Sequence, residues 1–95
     1  MSGKKSNRNK FKAGRLVATR GVLESVPADE LVYAMQRHLH GDWGEVSSAD
    51  WDLNDAALKK KGRLHSAYFA ENGQKFWIIT EADRSATTVL LPDEY

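Results

Sequence analysis

The chain has no cysteine and only two prolines among its 95 residues. Without cysteine there is no disulfide framework and no thiolate zinc site, a composition that fits a reducing cytosol. No apolar run approaches the roughly 20 residues that cross a bilayer as a helix. The basic N-terminus is not followed by the apolar core of a secretory signal. P-loop, dinucleotide-fingerprint and Gly-x-Ser-x-Gly sequences are missing too, which removes the commonest motif-readable nucleotide-binding and hydrolase chemistries.

Acidic residues are absent from the first 15 positions, where Lys4, Lys5, Arg8, Lys10, Lys12 and Arg15 give a charge of +6. The other 80 residues hold 8 basic and 13 acidic side chains, a charge of −5. The leading segment cannot bury enough apolar surface to offset its ordering entropy. Residues 1–13 are therefore expected to be a disordered basic arm, and residues 14–95 a single domain. Lys4, Lys5, Arg8, Lys10 and Lys12 could hold nucleic-acid phosphates through counterion release, or the arm could simply solubilise the chain. An apolar fraction of 41% suits a small globular fold.

Pro27, Asp29 and Glu30 open a stretch with Leu31, Val32, Met35 and Leu39 at helical spacing before Gly41. This predicts a helix over 27–40. Ser47 or Ser48 caps a second helix over 49–61, with Leu53, Ala56 and Ala57 as its apolar side and lysines at its end. Before them, 21–25 reads as a single helical turn and 16–19 as a short strand or an extended lead-in. Strands follow over 63–70, 75–81 and 86–91. The fold class is α+β: two main helices, then a three-stranded antiparallel meander.

Asn72-Gly73 between two apolar runs is a strong hairpin signal, because both central residues of a type I′ turn need positive φ. A two-residue loop there sets Phe69 opposite Phe76, Tyr68 opposite Trp77 and His65 opposite Thr80. A four-residue loop over 82–85 sets Thr80 opposite Thr87 and Ile79 opposite Thr88. Both faces of such a sheet are apolar enough to need cover, and two short helices cover one. Either an aromatic patch, Tyr68 with Trp77 or Phe69 with Phe76, stays exposed for a protein partner or a second copy, or residues 16–23 fold back over it.

The same register gathers His65, Arg63, Thr80 and Thr87 at one end of the sheet, beside Arg84. Those residue types suit a phosphodiester, with His65 as acid or base and the arginines on the developing oxyanion. They equally suit an ordinary threonine cross-strand pair and a half-exposed histidine. Asp42, Glu45, Asp50, Asp52 and Asp55 form a run of five acids uninterrupted by a base. It can imitate phosphates to a nucleic-acid-binding partner, or be a solvated helix face. The stretch from Asp50 fails as a calcium loop, since Asp55 and Lys61 stand where glycine and glutamate are needed. His38 and His40 point about 200° apart on a helix and do not share a metal. No metal or cofactor is expected.

Four stretches, residues 16–19, 40–44, 62–68 and 77–95, together resemble a family of small bacterial proteins carried on plasmids, prophages and integrated elements. The longest, from Trp77-Ile78-Ile79-Thr80-Glu81 through Pro92-Asp93-Glu94-Tyr95, is the most specific. The resemblance implies a mobile element in a bacterial cytoplasm and carries no catalytic residues. At the level of shape, helices before an antiparallel sheet bearing His, Arg and Thr are similar to the barnase–RelE class of ribonuclease toxins. The expected function is a non-enzymatic binding protein acting on a host or element-encoded protein, such as a nucleic-acid-processing defence complex. Asp42, Glu45, Asp50, Asp52, Asp55, Tyr68 and Trp77 would be its contact residues. The alternatives are a metal-independent ribonuclease using His65, and a nucleic-acid-binding accessory protein using the arm.

Overall fold

The computed structural model describes residues 9–95 and is α+β. In chain order the elements are β1 (Arg15–Ala18), α1 (Arg20–Ser25), α2 (Ala28–Leu39), α3 (Ser48–Lys60), β2 (Leu64–Phe69), β3 (Lys75–Thr80) and β4 (Ala86–Leu90). A 3-10 turn, Pro92–Glu94, follows. The sheet has four strands in the order β1-β4-β3-β2, not three. The lead-in is a true strand, β1, which pairs in parallel with β4 and makes the sheet mixed.

Side-chain oxygens start two helices by accepting orphan amide protons. Thr19 caps α1 through the Val22 amide, and Ser47 caps α3 through the Asp50 amide at 3.1 Å. The glutamate of the final turn adds to the first cap. Glu94 accepts from the Thr19 hydroxyl and from the Gly21 amide at 3.0 Å, clasping the end of the chain onto the β1–α1 junction. Those contacts, the Thr19 hydroxyl foremost, hold the Glu94 carboxyl below its ordinary range.

The hairpin between β2 and β3 departs from the expected type I′ turn. Gly73 donates to the Ala70 carbonyl and the Ala70 amide donates to Gln74, both at 2.9 Å, so three residues, 71–73, form the loop. Positive φ falls on Gly73 alone (91°), as in a type I turn closed by a glycine bulge. Asn72 instead uses its side chain, accepting from the Gln74 amide and donating to the Ser25 carbonyl. One extra loop residue slips the register by one. Tyr68 now pairs with Phe76, Ala67 with Trp77 and Leu64 with Thr80, while His65 pairs with Ile79. The β3–β4 register is as expected, with Thr80 on Thr87 and Ile79 on Thr88.

The slip sorts the two faces. Leu64, Ser66, Tyr68, Phe76, Ile78, Thr80, Thr87 and Val89 share one face and are all buried. Val22 and Val26 from the α1 region and Ala34 from α2 close over it, with Leu31 and Met35 packed alongside. Each large side chain buried there contributes about 1.5–3 kcal/mol. The N-terminal segment thus reaches the helix-covered face through α1, while β1 extends the sheet. On the other face Tyr95 packs edge-on against Trp77 at 5.9 Å.

The second main helix does not cover the sheet. Leu53 of α3 is 67% exposed, and the buried residue of this helix is Asn54. Its amide donates to the His65 carbonyl at 2.9 Å and accepts from the His65 amide at 3.1 Å, occupying the free edge of β2. One register step on, Ala67 donates to the Trp43 carbonyl and accepts from the Glu45 amide at 2.7 Å. Gly44, between these two, has φ of 76° and lies against the Ala67 carbonyl and the Tyr68 ring, where a Cβ would overlap both. Gly44→Ala is expected to lower stability by about 2–3 kcal/mol. A urea unfolding midpoint should fall with an unchanged slope; an unshifted midpoint would mean that this edge contact contributes little.

The segment before β1 is docked from Lys10 onward. The Lys10 amide donates to the Leu39 carbonyl at 2.8 Å, and Phe11 stacks on Trp43 at 6.3 Å. Lys10 and Phe11, expected to lie in a disordered arm, are thus packed against the domain, and Lys4, Lys5 and Arg8 lie outside the described residues. Lys10 and Lys12 are exposed. No helix among the described residues is long and apolar enough to cross a membrane.

Candidate binding groove

Because α3 lies along the β2 edge, a cleft opens between its first half and the sheet face opposite the core. Its volume is about 480 Å³. Glu45, Val46, Ser47, Asp50 and Leu53 come from the loop and helix side; Arg63, just before β2, and His65, Ala67, Lys75 and Trp77 come from the sheet side. Acids thus stand on one wall and bases on the other. The His65 ring meets Trp77 edge-on at 4.5 Å, and the Arg63 guanidinium lies 5.2 Å over Tyr95. Burial, followed by the nearby Arg63 charge, pushes the half-buried His65 below its ordinary value, while Asp50 opposes. His65 is therefore a neutral imidazole at pH 7.

The five residues expected to act together on a phosphodiester are divided. His65 and Arg63 stay together in the cleft. Thr80 and Thr87 do face each other, but on the buried side of the sheet, because the one-residue slip puts His65 on the opposite face from Thr80. Arg84 is spent on backbone: it donates to the carbonyls of Gly62 at 2.6 Å and Ala57 at 3.1 Å. Its guanidinium lies 5.6 Å over Phe11, so it ties the end of α3 to the docked N-terminal segment.

The acidic run is divided as well. Asp42 is held by Arg37 through two contacts of 2.8 and 3.2 Å and accepts from the Gly44 amide, and these bonds, Arg37 first, keep its carboxyl below the usual range. Asp55 accepts from the Trp43 indole at 3.0 Å. Glu45 and Asp50 line the cleft, and Asp52 is exposed outside it. Tyr68 is buried in the core, its hydroxyl donating to the Asp42 carbonyl at 2.6 Å. Burial raises the Tyr68 phenol well above its ordinary value. It therefore offers no surface, and Trp77 alone of that expected pair reaches the cleft.

Known protein-family models, curated proteins and solved structures yield no match to this chain. Among the described residues no group of three or more His, Asp or Glu side chains is gathered for a metal ion.

The polar cluster that sequence reasoning missed centres on His38. Its Nδ1 lies 2.6 Å from the Ser66 hydroxyl and its Nε2 2.9 Å from the Thr80 hydroxyl. Thr80 lies 2.7 Å from Thr87, which donates to the Ala13 carbonyl at 2.7 Å. The proton order follows from that carbonyl, which can only accept. Thr87 spends its proton on Ala13, so Thr80 must donate to Thr87, and His38 must donate to Thr80 from Nε2. Nδ1 is then the acceptor, and Ser66 donates to it. A serine hydroxyl at this distance from an imidazole resembles a nucleophile–base pair. Here Ser66, His38, Thr80 and Thr87 are all 0% exposed, so no substrate reaches them and the cluster is structural. Its sequence signal is the four-residue spacing of Ala34 and His38, which puts the histidine on the buried stripe of α2.

Proposed function

We propose that this protein is a small non-enzymatic binding module that grips a segment of another protein in the cleft between α3 and the sheet. The observation that carries this reading is the cleft's composition: an exposed leucine lip, an aromatic floor, and charges of opposite sign on facing walls. Anchors of this kind suit a partner that seats one apolar side chain between Leu53 and Trp77 and matches its flanking charges to Glu45 and Asp50 on one side and Arg63 and Lys75 on the other. The resemblance to plasmid- and prophage-borne proteins supplies the setting, a mobile element in a bacterial cytoplasm. A host or element-encoded protein, such as a nucleic-acid-processing complex, is the partner class that the acidic wall of Glu45 and Asp50 fits.

Leu53→Asp and Asp50→Lys change exposed cleft positions, whereas Asp52→Lys changes an exposed position outside it. The first two should weaken a captured partner by about tenfold or more, a loss of about 1.4 kcal/mol, and the third should be neutral. Binding can be read by titrating the purified partner against each variant after its thermal unfolding has been matched to the parent. Equal affinities for all three variants would remove the cleft from recognition.

A second reading rests on one observation: the cleft keeps His65 and Arg63 together and adds Lys75 and the carboxylates of Glu45 and Asp50. Those are residue types for acid–base cleavage of RNA without a metal. Induction in a bacterial host separates the two readings. Intact RNA with normal growth supports the binding module, and RNA fragments that disappear with His65→Ala support the nuclease.

A further inference from the structure

We infer that the outer edge of β1 accepts an extended, acidic polypeptide segment as a fifth strand of the sheet. The two edges of this sheet are treated differently. On the β2 side, the outward backbone groups of His65 and Ala67 are all bonded, by Asn54, Trp43 and Glu45. Such cover is how proteins protect an edge strand from unwanted pairing.

On the β1 side the parallel register, with Arg15 bonded to Ser85 and Thr19 to Val89, turns Arg15, Val17 and Thr19 toward β4. The N–H and C=O groups of Leu16 and Ala18 therefore point outward. Among the described residues none of those groups has a partner. Every residue of β1 is exposed, Leu16 at 60% and Val17 at 37%. An arriving strand gains backbone hydrogen bonds from two residues and apolar contact on both faces, the mode of recognition known as strand addition.

Charge selects the occupant. β1 follows exposed Lys12 and begins with exposed Arg15, while the acids at its far end are already engaged, Glu24 by Arg20 and Glu94 by Thr19 and Gly21. Self-pairing of two β1 strands, antiparallel about a two-fold axis, would bring Arg15 of one copy toward Arg20 of the other at both ends. An acidic segment meets the same cations favourably, and its association depends on salt. This inference stands apart from the α3 cleft, since β1 and β2 are opposite edges of the sheet.

The test is backbone amide exchange of the full chain, followed by NMR, with an acetylated and amidated heptapeptide alternating glutamate and valine as the probe. The amides of Leu16 and Ala18 should exchange freely in the free protein and slow about tenfold or more at saturation, while Val17, already bonded to β4, changes little. Binding should weaken as salt rises, and a heptapeptide alternating lysine and valine should leave both amides unprotected. Leu16→Pro removes an outward N–H and no bond to β4, so it should abolish binding. If that variant misfolds, the exchange pattern of the parent protein decides alone. Protection of Leu16 and Ala18 before any peptide is added would overturn the inference, and a sedimentation mass of two chains would identify a second copy as the occupant. Equal protection by the lysine peptide, or protection at β2 instead, would overturn it as well.

Discussion

Replacing His38 by alanine is expected to cost about 3–5 kcal/mol of folding stability, enough to unfold a marginal domain of this size. Two losses combine. The imidazole is 0% exposed between α2 and the sheet, and Phe11 at 5.3 Å and Trp43 at 5.6 Å meet its ring edge-on, so truncation leaves a cavity beneath two aromatic side chains. It also orphans the fully buried Ser66 hydroxyl and takes a donor from Thr80, which keeps its bond to Thr87. An orphaned buried hydroxyl costs about 1–3 kcal/mol. His38→Leu restores most of the volume but not the hydrogen bonds, so its cost should lie between parent and alanine. Thr87→Val keeps the volume but leaves the Ala13 carbonyl without its donor and the Thr80 proton without its acceptor, so it too should cost less than alanine at His38. Urea unfolding of the three variants measures these values. A loss below about 1 kcal/mol for His38→Ala would show that the site collapses readily and that the cluster contributes little.

Acid should begin to destabilise this protein at a pH above the range where carboxylates titrate. Burial pushes His38 down from 6.5 to about 3 in the folded state. The unfolded chain therefore takes up a proton that the folded one refuses, and the folded state loses stability as pH falls from 6.5 toward 3. The slope is about 1.4 kcal/mol per pH unit for one such group, or about 3 kcal/mol by pH 4. Above pH 6.5 the contribution is flat. His65, also depressed by burial, adds a smaller fall in the same window. Glu94 and Asp42 contribute in the same direction, but only below their ordinary values of 4.5 and 3.8, so the stretch from pH 6.5 to about 5 belongs to the histidines. Unfolding free energies measured across that stretch should decline in the parent, and most of the decline should vanish in His38→Leu. A parent profile that stays flat from pH 7 to 4 would mean that His38 takes up its proton as readily inside the fold as outside it, with Nδ1 then donating to Ser66 instead of accepting from it.

Much of the architecture could be read from local signals, and the failures have particular causes. Helices α2 and α3 were placed within two residues at each end because their starts carry Pro27 and Ser47 and their ends carry glycine or lysine. The Thr80–Thr87 pairing followed from a loop length alone. The β2–β3 register failed on one residue, since Asn-Gly serves both a two-residue type I′ loop and a three-residue loop with a glycine bulge. What separates them here is the tertiary bond from Asn72 to the Ser25 carbonyl, which no short window contains. That single step exchanged the faces of β2, sending Tyr68 into the core and His65 out of the threonine row. The role of α3 was hidden for a related reason. Leu53 marked the apolar side, yet the contact that positions the helix is the amide of Asn54 acting as a strand edge, and amphipathic spacing carries no signal for that. The parallel partnership of β1 and β4 joins segments about 70 residues apart and has no turn between them to read.

That partnership also dictates an order of events during synthesis. The β2–β3–β4 meander can form from neighbours joined by short turns, but β1, which precedes it in the chain, meets the strand it pairs with only when residues 86–90 have emerged from the ribosome. Closing so long a loop carries an entropic cost that a meander avoids, so β1 and α1 join a sheet that already exists. The Glu94 clasp on Thr19 and Gly21 comes later still. The Val22 side of the core thus stays uncovered until β4 is present for β1 to pair with, and the Glu94 contacts then complete the seal over β1.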